Sequence, residues 1–138
     1  MQVRDESADL LIAAATEARE HAHAPYSRFA VGAAVVDGEG RIFAGCNVEN
    51  ASYGLSICAE RHAVGAAITA GARVLKGLAV VTDTSPPASP CGACRQVLAE
   101  FGDFPVILAN LADDRIITSV TDLLPNAFTS ASLVRRQK

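Results

Sequence analysis

YGLSICAERHAVG, residues Tyr53 to Gly65, places a thiol (Cys58), a carboxylate (Glu60) and a guanidinium (Arg61) at the head of an otherwise apolar stretch. Ala59, Ala63, Ala66 and Ala67 follow at helical spacing and Gly71 ends the run, so the pattern predicts a helix over 58–70. Upstream lies the polar loop ENASYGLS, and before it VGAAVVD (31–37) and RIFAGCNV (41–48) flank a GEG turn and read as a β-hairpin. Ser7 to His23 carries apolar residues at helical spacing, with Ser7 or Asp5 available as a cap, and Pro25 breaks the helix. Downstream, GLAVVTD (77–83) reads as a strand buried on both faces, and the Pro-rich loop SPPASP leads to a helix over CGACRQVLAEF (91–101) that ends at Gly102. PVILAN (105–110) is another strand, DDRIITSV turns into a fifth, and VTDLLP is a short helix stopped at Pro125. The order α-β-β-α-β-α-β-β-α predicts a mixed sheet sandwiched by helices in one domain over residues 1–138, with the tail after about residue 128 its least diagnostic part.

The chain has 138 residues, half of them hydrophobic and 20% charged, which is apolar enough for a packed core. With a formal net charge of -3 and no basic run beyond Arg135 and Arg136, it lacks the electrostatic footprint of a nucleic-acid binder. No apolar run reaches the length of a membrane span, and the acidic start MQVRDESADLL is unlike a signal peptide; a cytoplasmic address is expected. There the four cysteines, Cys46, Cys58, Cys91 and Cys94, read as metal ligands or free thiols rather than disulfides.

Three of those cysteines stand at helix starts. Cys91 and Cys94 are three apart and share a helix face, and Cys58 opens the other helix. Helix N-termini favour thiolates, so two converging helix starts bring three ligands together. Three protein ligands leave the fourth zinc position to water, the pattern of a catalytic rather than a structural site. Glu60, two residues from Cys58, lies beside such a metal without ligating it and is placed to carry protons. Arg61 is placed to offset the negative charge of three thiolates. His21, His23 and His62 form no ligand pattern and read as surface or packing residues, and Cys46 as a small buried hydrophobe.

C-A-E at 58–60 with P-C-G-A-C at 90–94 resembles the zinc nucleoside deaminases. With Cys rather than His as first ligand, the chain is similar to the small homotetrameric cytidine deaminases, and YSRFAVGAA (26–34), GCNVENASYG (45–54), PCGACRQVLAEF (90–101) and LLPNAF (123–128) extend the likeness. Ala30 stands where many members have Pro, and His62 where Thr is common. The resemblance implies a three-layer α-β-α sandwich with a mixed five-stranded sheet, one zinc per chain with water or hydroxide as fourth ligand, and a homotetramer with shared active sites. It implies hydrolysis of cytidine and deoxycytidine to uridine and deoxyuridine plus ammonia, a reaction of pyrimidine salvage, with no nucleic-acid or membrane partner. By the same resemblance Glu60 is catalytic, Asn47 and Glu49 hold the ribose hydroxyls, and Phe29 packs on the pyrimidine. The backbone of Ala59 and of 89–91 reads the base edge, and Ala51, Tyr53 and Phe128 reach a neighbouring subunit's site.

Other readings stay open at this level. Cys91-x-x-Cys94 alone could be a redox pair or part of a structural zinc site, and Asn47 and Glu49 could shape their loop through backbone bonds. A deaminase of the blasticidin type and a non-catalytic zinc-stabilised binding module are the alternative functions.

Overall fold

Asp5 opens the first helix: its carboxylate accepts the Ala8 N–H at 2.8 Å, and α1 runs Glu6–Arg19. The structure, a computed structural model, describes residues 1–133; Arg135 and Arg136, with the last part of the expected 1–138 domain, lie outside the described residues. After α1 come β1 (Gly32–Asp37), β2 (Ile42–Cys46), α2 (Ala59–Thr69), β3 (Leu75–Thr82), α3 (Gly92–Ala99), β4 (Pro105–Asn110), β5 (Arg115–Ser119) and α4 (Val120–Leu123). This is the element order read from the sequence.

The strands form one five-stranded sheet in the order β2-β1-β3-β4-β5. β1 pairs antiparallel with β2 and β3, β3 runs parallel to β4, and β4 pairs antiparallel with β5, so the sheet is mixed. Alternate residues face opposite sides, and each side is covered. Ala34, Ala79, Val81, Ile107 and Ala109 pack under Ala8, Leu11, Ile12 and Ala15 of α1. Ala33, Val35, Leu78, Val80, Val106 and Leu108 pack on the other side against Ala59, Ala63 and Val64 of α2 and Leu98 of α3. The result is a three-layer α-β-α sandwich. Two glycines set the layer spacing: a Cβ at Gly32 would meet the Ala15 carbonyl, and one at Gly45 would come within 2.6 Å of the Ala63 nitrogen.

Two elements end earlier than their hydropathy suggests, and for one reason. α1 stops at Arg19 rather than His23, and β2 at Cys46 rather than Val48. The His23 N–H donates to the Asn47 carbonyl at 3.0 Å, and the His23 carbonyl accepts from the Glu49 N–H at 2.8 Å. Both ends are drawn into one loop contact that local periodicity does not encode.

Candidate active site

The parallel β3–α3–β4 unit places the start of α3 above the carboxyl end of β3, where α/β sheets commonly hold ligands. The start of α2 meets it there. Cys58 is the N-cap of α2 and Cys91 the N-cap of α3, with Cys94 buried in the first turn of α3. Their sulfurs converge: Cys58 to Cys91 is 3.7 Å and Cys91 to Cys94 is 3.4 Å. Four ligands placed tetrahedrally at the usual zinc–sulfur length of about 2.3 Å lie roughly 3.8 Å apart, so the trio fits a zinc ion. Among the described residues no carboxylate or imidazole joins this group, so three side chains are placed to hold a metal.

The thiols influence each other strongly. Hydrogen bonding with Cys94 acts most on Cys58; with the Cys91 thiol and the Arg61 guanidinium it outweighs burial and brings the Cys58 thiol down to about 5. The same hydrogen bond pushes Cys94 up, and burial and the Glu60 charge add to it. Cys58 and Cys94 are thus shifted in opposite directions by the hydrogen bond they share.

Glu60 lies in the first turn of α2 and is only 4% exposed. Burial raises its carboxyl above the usual carboxylate range, and the Cys58 charge adds to that. Arg61 donates to the Ser56 carbonyl at 3.4 Å, while its buried Nε has no hydrogen-bond partner among the described residues. Burial would lower the Arg61 pKa, but the Cys58 sulfur and the other two cysteines hold the guanidinium firmly charged.

A cavity of about 170 Å³ opens over these groups, lined by Phe29, Asn47, Cys58, Ala59, Glu60, Ser89 and Cys91. Of the expected substrate contacts, Phe29, Asn47, Ala59 and the 89–91 segment thus come together around the sulfurs, while Glu49, Ala51, Tyr53 and Phe128 do not line this cavity. Val31, Val80, Thr82 and Ala88 line it too, and sequence reading did not single them out. Thr82 ends the apolar run of β3, and that strand-end position was the available signal. A larger depression of about 470 Å³ between α1 and the hairpin holds neither a thiol nor an imidazole, so chemistry rather than volume marks the site.

The loop after β2 is built around its own side chains. Asn47 accepts the Val31 N–H at 2.9 Å and donates to the Phe29 carbonyl at 2.7 Å. Glu49 accepts from the Tyr26 and Ser27 N–H groups at 3.0 and 3.1 Å. The Ser27 hydroxyl and N–H hold the Glu49 carboxyl below its ordinary value, with Tyr26 and His23 adding to this against a burial penalty. Both residues therefore do shape the loop. Val48 and Ile57 exchange backbone hydrogen bonds at 3.0 Å, which closes the loop onto the start of α2. Glu49 lines a second depression of about 370 Å³ with Tyr26, Ser27, Tyr53 and Ser56. Ala51 and Phe128 line neither space, and Tyr53 and Phe128 are 74% and 58% exposed. Arg95, also not foreseen, braces the approach to α3 by donating to the Pro90 and Leu123 carbonyls at 2.8 Å.

Residues 5–110 match the family described as the cytidine and deoxycytidylate deaminase zinc-binding region. The chain belongs to that family. The deaminase match is carried along nearly the whole chain by individual relatives. A cytidine deaminase of Sporosarcina psychrophila is 53% identical over 125 residues, covering 89% of this chain and 92% of the relative. The crystal structure of cytidine deaminase from Burkholderia pseudomallei superposes with a TM-score of 0.84 at 54% identity, over 87% of this chain and 98% of that one. The Mycobacterium tuberculosis cytidine deaminase structure gives a TM-score of 0.76 at 42% identity, over 90% and 98% of the two chains. The sandwich and the three-cysteine cluster are thus those of a zinc-binding deaminase domain. No helix among the described residues is long and apolar enough to cross a membrane.

Proposed function

We propose that this chain is a zinc-dependent cytidine deaminase that hydrolyses cytidine and deoxycytidine to uridine and deoxyuridine with release of ammonia, a step of pyrimidine salvage. The observation that carries the reading is the convergence of three sulfurs at zinc spacing beside one cavity that Cys58, Cys91 and the buried Glu60 line together. Held by Cys58, Cys91 and Cys94, one zinc per chain with water or hydroxide as fourth ligand supplies an acidified water and a Lewis acid.

Glu60 moves the protons. Its burial raises the carboxyl above the ordinary carboxylate range, the direction a general acid–base group needs. It holds the proton given up by water, passes it to N3 of cytosine, and later delivers a proton to the departing amino group. A C4–O bond forms, the C4–N bond breaks, and ammonia leaves. Arg61 offsets the sulfur charge.

Recognition falls to the cavity wall. Phe29 packs on the pyrimidine, and the backbone of Ala59 and of 89–91 reads the base edge. Asn47 and Glu49 take the ribose hydroxyls; Glu49 is well suited because the Ser27 hydroxyl and the Ser27 and Tyr26 N–H groups favour its ionised form. A carboxylate there repels a 3′-phosphate, so free nucleosides are substrates and oligonucleotides are not. Ala51, Tyr53 and Phe128, standing away from their own chain's cavity, reach the site of a neighbour in a homotetramer. The reaction belongs in the cytoplasm, where thiol ligands stay reduced.

The test is the ultraviolet absorbance of cytidine incubated with zinc-loaded protein, with deoxycytidine and blasticidin S in parallel. Loss of the cytosine signal with equimolar ammonia is expected for both nucleosides. Turnover of blasticidin S alone would keep the zinc–Glu60 chemistry and overturn the roles of Phe29, Asn47 and Glu49. No turnover in protein holding one zinc per chain would favour a binding module.

A further inference from the structure

The geometry points to His62 as a positioning residue that sets the sugar-reading loop against the helix carrying Glu60. His62 Nδ1 lies 2.8 Å from the Cys46 carbonyl, at the last residue of β2. A carbonyl only accepts, so Nδ1 carries the proton and the ring tautomer is set. The Asn47 N–H bonds to the Val31 carbonyl at 3.2 Å, and antiparallel alternation then turns the Cys46 carbonyl away from β1. His62 meets it there.

Its location makes the bond matter. α2 rests directly on β2 at Gly45, where an added Cβ would come within 2.7 Å of the His62 Cβ and 2.9 Å of the Ala59 carbonyl. One residue beyond Gly45 is the anchored carbonyl, and the next three residues are Asn47, Val48 and Glu49. On the helix, His62 follows Glu60 by two positions. One side-chain hydrogen bond therefore spans the step from the proton-carrying helix to the strand end that launches the loop. The ties of Asn47, Val48 and Glu49 otherwise run to His23, Tyr26, Ser27, Phe29, Val31 and Ile57; of these only the Val48–Ile57 pair reaches the start of α2, and it does so through the backbone before the Cys58 cap. Without the bond, Asn47 and Glu49 keep their folds but lose the side-chain tie between the β2 end and α2, which loosens their distance from Glu60.

This inference rests on the proposed role of Asn47 and Glu49 as sugar contacts, and a comparison of two substrates separates the two. In zinc-loaded full-length protein, His62→Ala should raise the KM for cytidine about five- to tenfold, the size of one hydrogen bond, with kcat changed less than twofold. The KM for 2′,3′-dideoxycytidine, which lacks the hydroxyls the loop would hold, should stay within twofold of native. His62→Asn, whose amide can donate from the Nδ1 position, should restore the cytidine KM. If His62→Ala does not fold, His62→Leu fills the volume without a donor and carries the same comparison. An equal rise for both substrates, or no rise for cytidine, overturns the role of His62. A native enzyme with equal KM for cytidine and the dideoxy substrate overturns the sugar reading, and the His62 role with it.

Discussion

The roles proposed for Cys58, Glu60, Cys91 and Cys94 are local in kind, because a ligand or a proton carrier needs a particular functional group. Cys91→Ala breaks the sulfur trio, and we expect zinc content and activity to fall together; metal analysis of the purified variant checks this. Glu49 carries a different load. Glu49→Gln should raise the KM for cytidine roughly tenfold or more, the worth of a hydrogen bond to a charged group, with zinc retained; steady-state kinetics reads it. The convergence of Cys58, Cys91 and Cys94 beside Glu60 was legible in the sequence because thiols and a carboxylate at helix starts have few structural uses. Arg95 and Thr82 were not. Arg95 acts on the Pro90 and Leu123 carbonyls, which become neighbours only when the loop before α3 meets α4, and Thr82 becomes a wall only when that loop closes over β3.

At the scale of elements, the sheet is set by runs whose period is unmistakable, such as GAAVVD and PVILAN, and those strands appear where hydropathy puts them. The ends of α1 and β2 were not legible, because His23, Asn47 and Glu49 exchange hydrogen bonds across more than twenty residues. The close approach at Gly45 gives a direct test of how α2 is seated. Gly45→Ala drives a methyl into the Ala59 and Ala63 backbone, and should cost about 1–3 kcal/mol of stability by displacing the helix that holds Cys58 and Glu60. Thermal unfolding and zinc affinity should fall together. The β1–β2 hairpin is locked by Asp37, which accepts the Glu39 and Arg41 N–H groups at 3.0 and 2.8 Å and the Arg41 guanidinium at 2.8 Å. Burial raises the Asp37 carboxyl, but the Arg41 N–H, the Arg41 guanidinium and the Glu39 N–H outweigh it, and it lies below its ordinary value. A carboxyl lowered by folding stabilises the fold above its unfolded pKa, about 4, and loses that contribution as pH falls through the folded value. Asp37→Asn should therefore melt earlier than native at pH 7, and the gap should close as the pH is lowered past 4. A gap that widens in acid would contradict the assignment.

The whole molecule pairs a nearly uncharged interior with a modest net charge of -3, which suits a small diffusible substrate better than a polyanion. Its two most exposed aromatics, Tyr53 and Phe128, do not line the cavity beside the sulfurs, and the proposed tetramer gives them one to enter. Light scattering should return four chains of 14.3 kDa, and Tyr53→Ala should lower activity while leaving each chain's zinc in place. A fully active monomer would remove the shared-site reading. Nothing in the hydropathy pattern shows this assembly, because a surface that meets another copy has the composition of any half-apolar surface. The central claim concerns the intact, metal-loaded enzyme, and one comparison tests it most directly: zinc content and cytidine turnover of native protein and Glu60→Gln, measured on the same preparations. The account predicts one zinc per chain in both, with turnover in the variant reduced about 100- to 10,000-fold. Zinc-replete Glu60→Gln that deaminates cytidine at the native rate would contradict it.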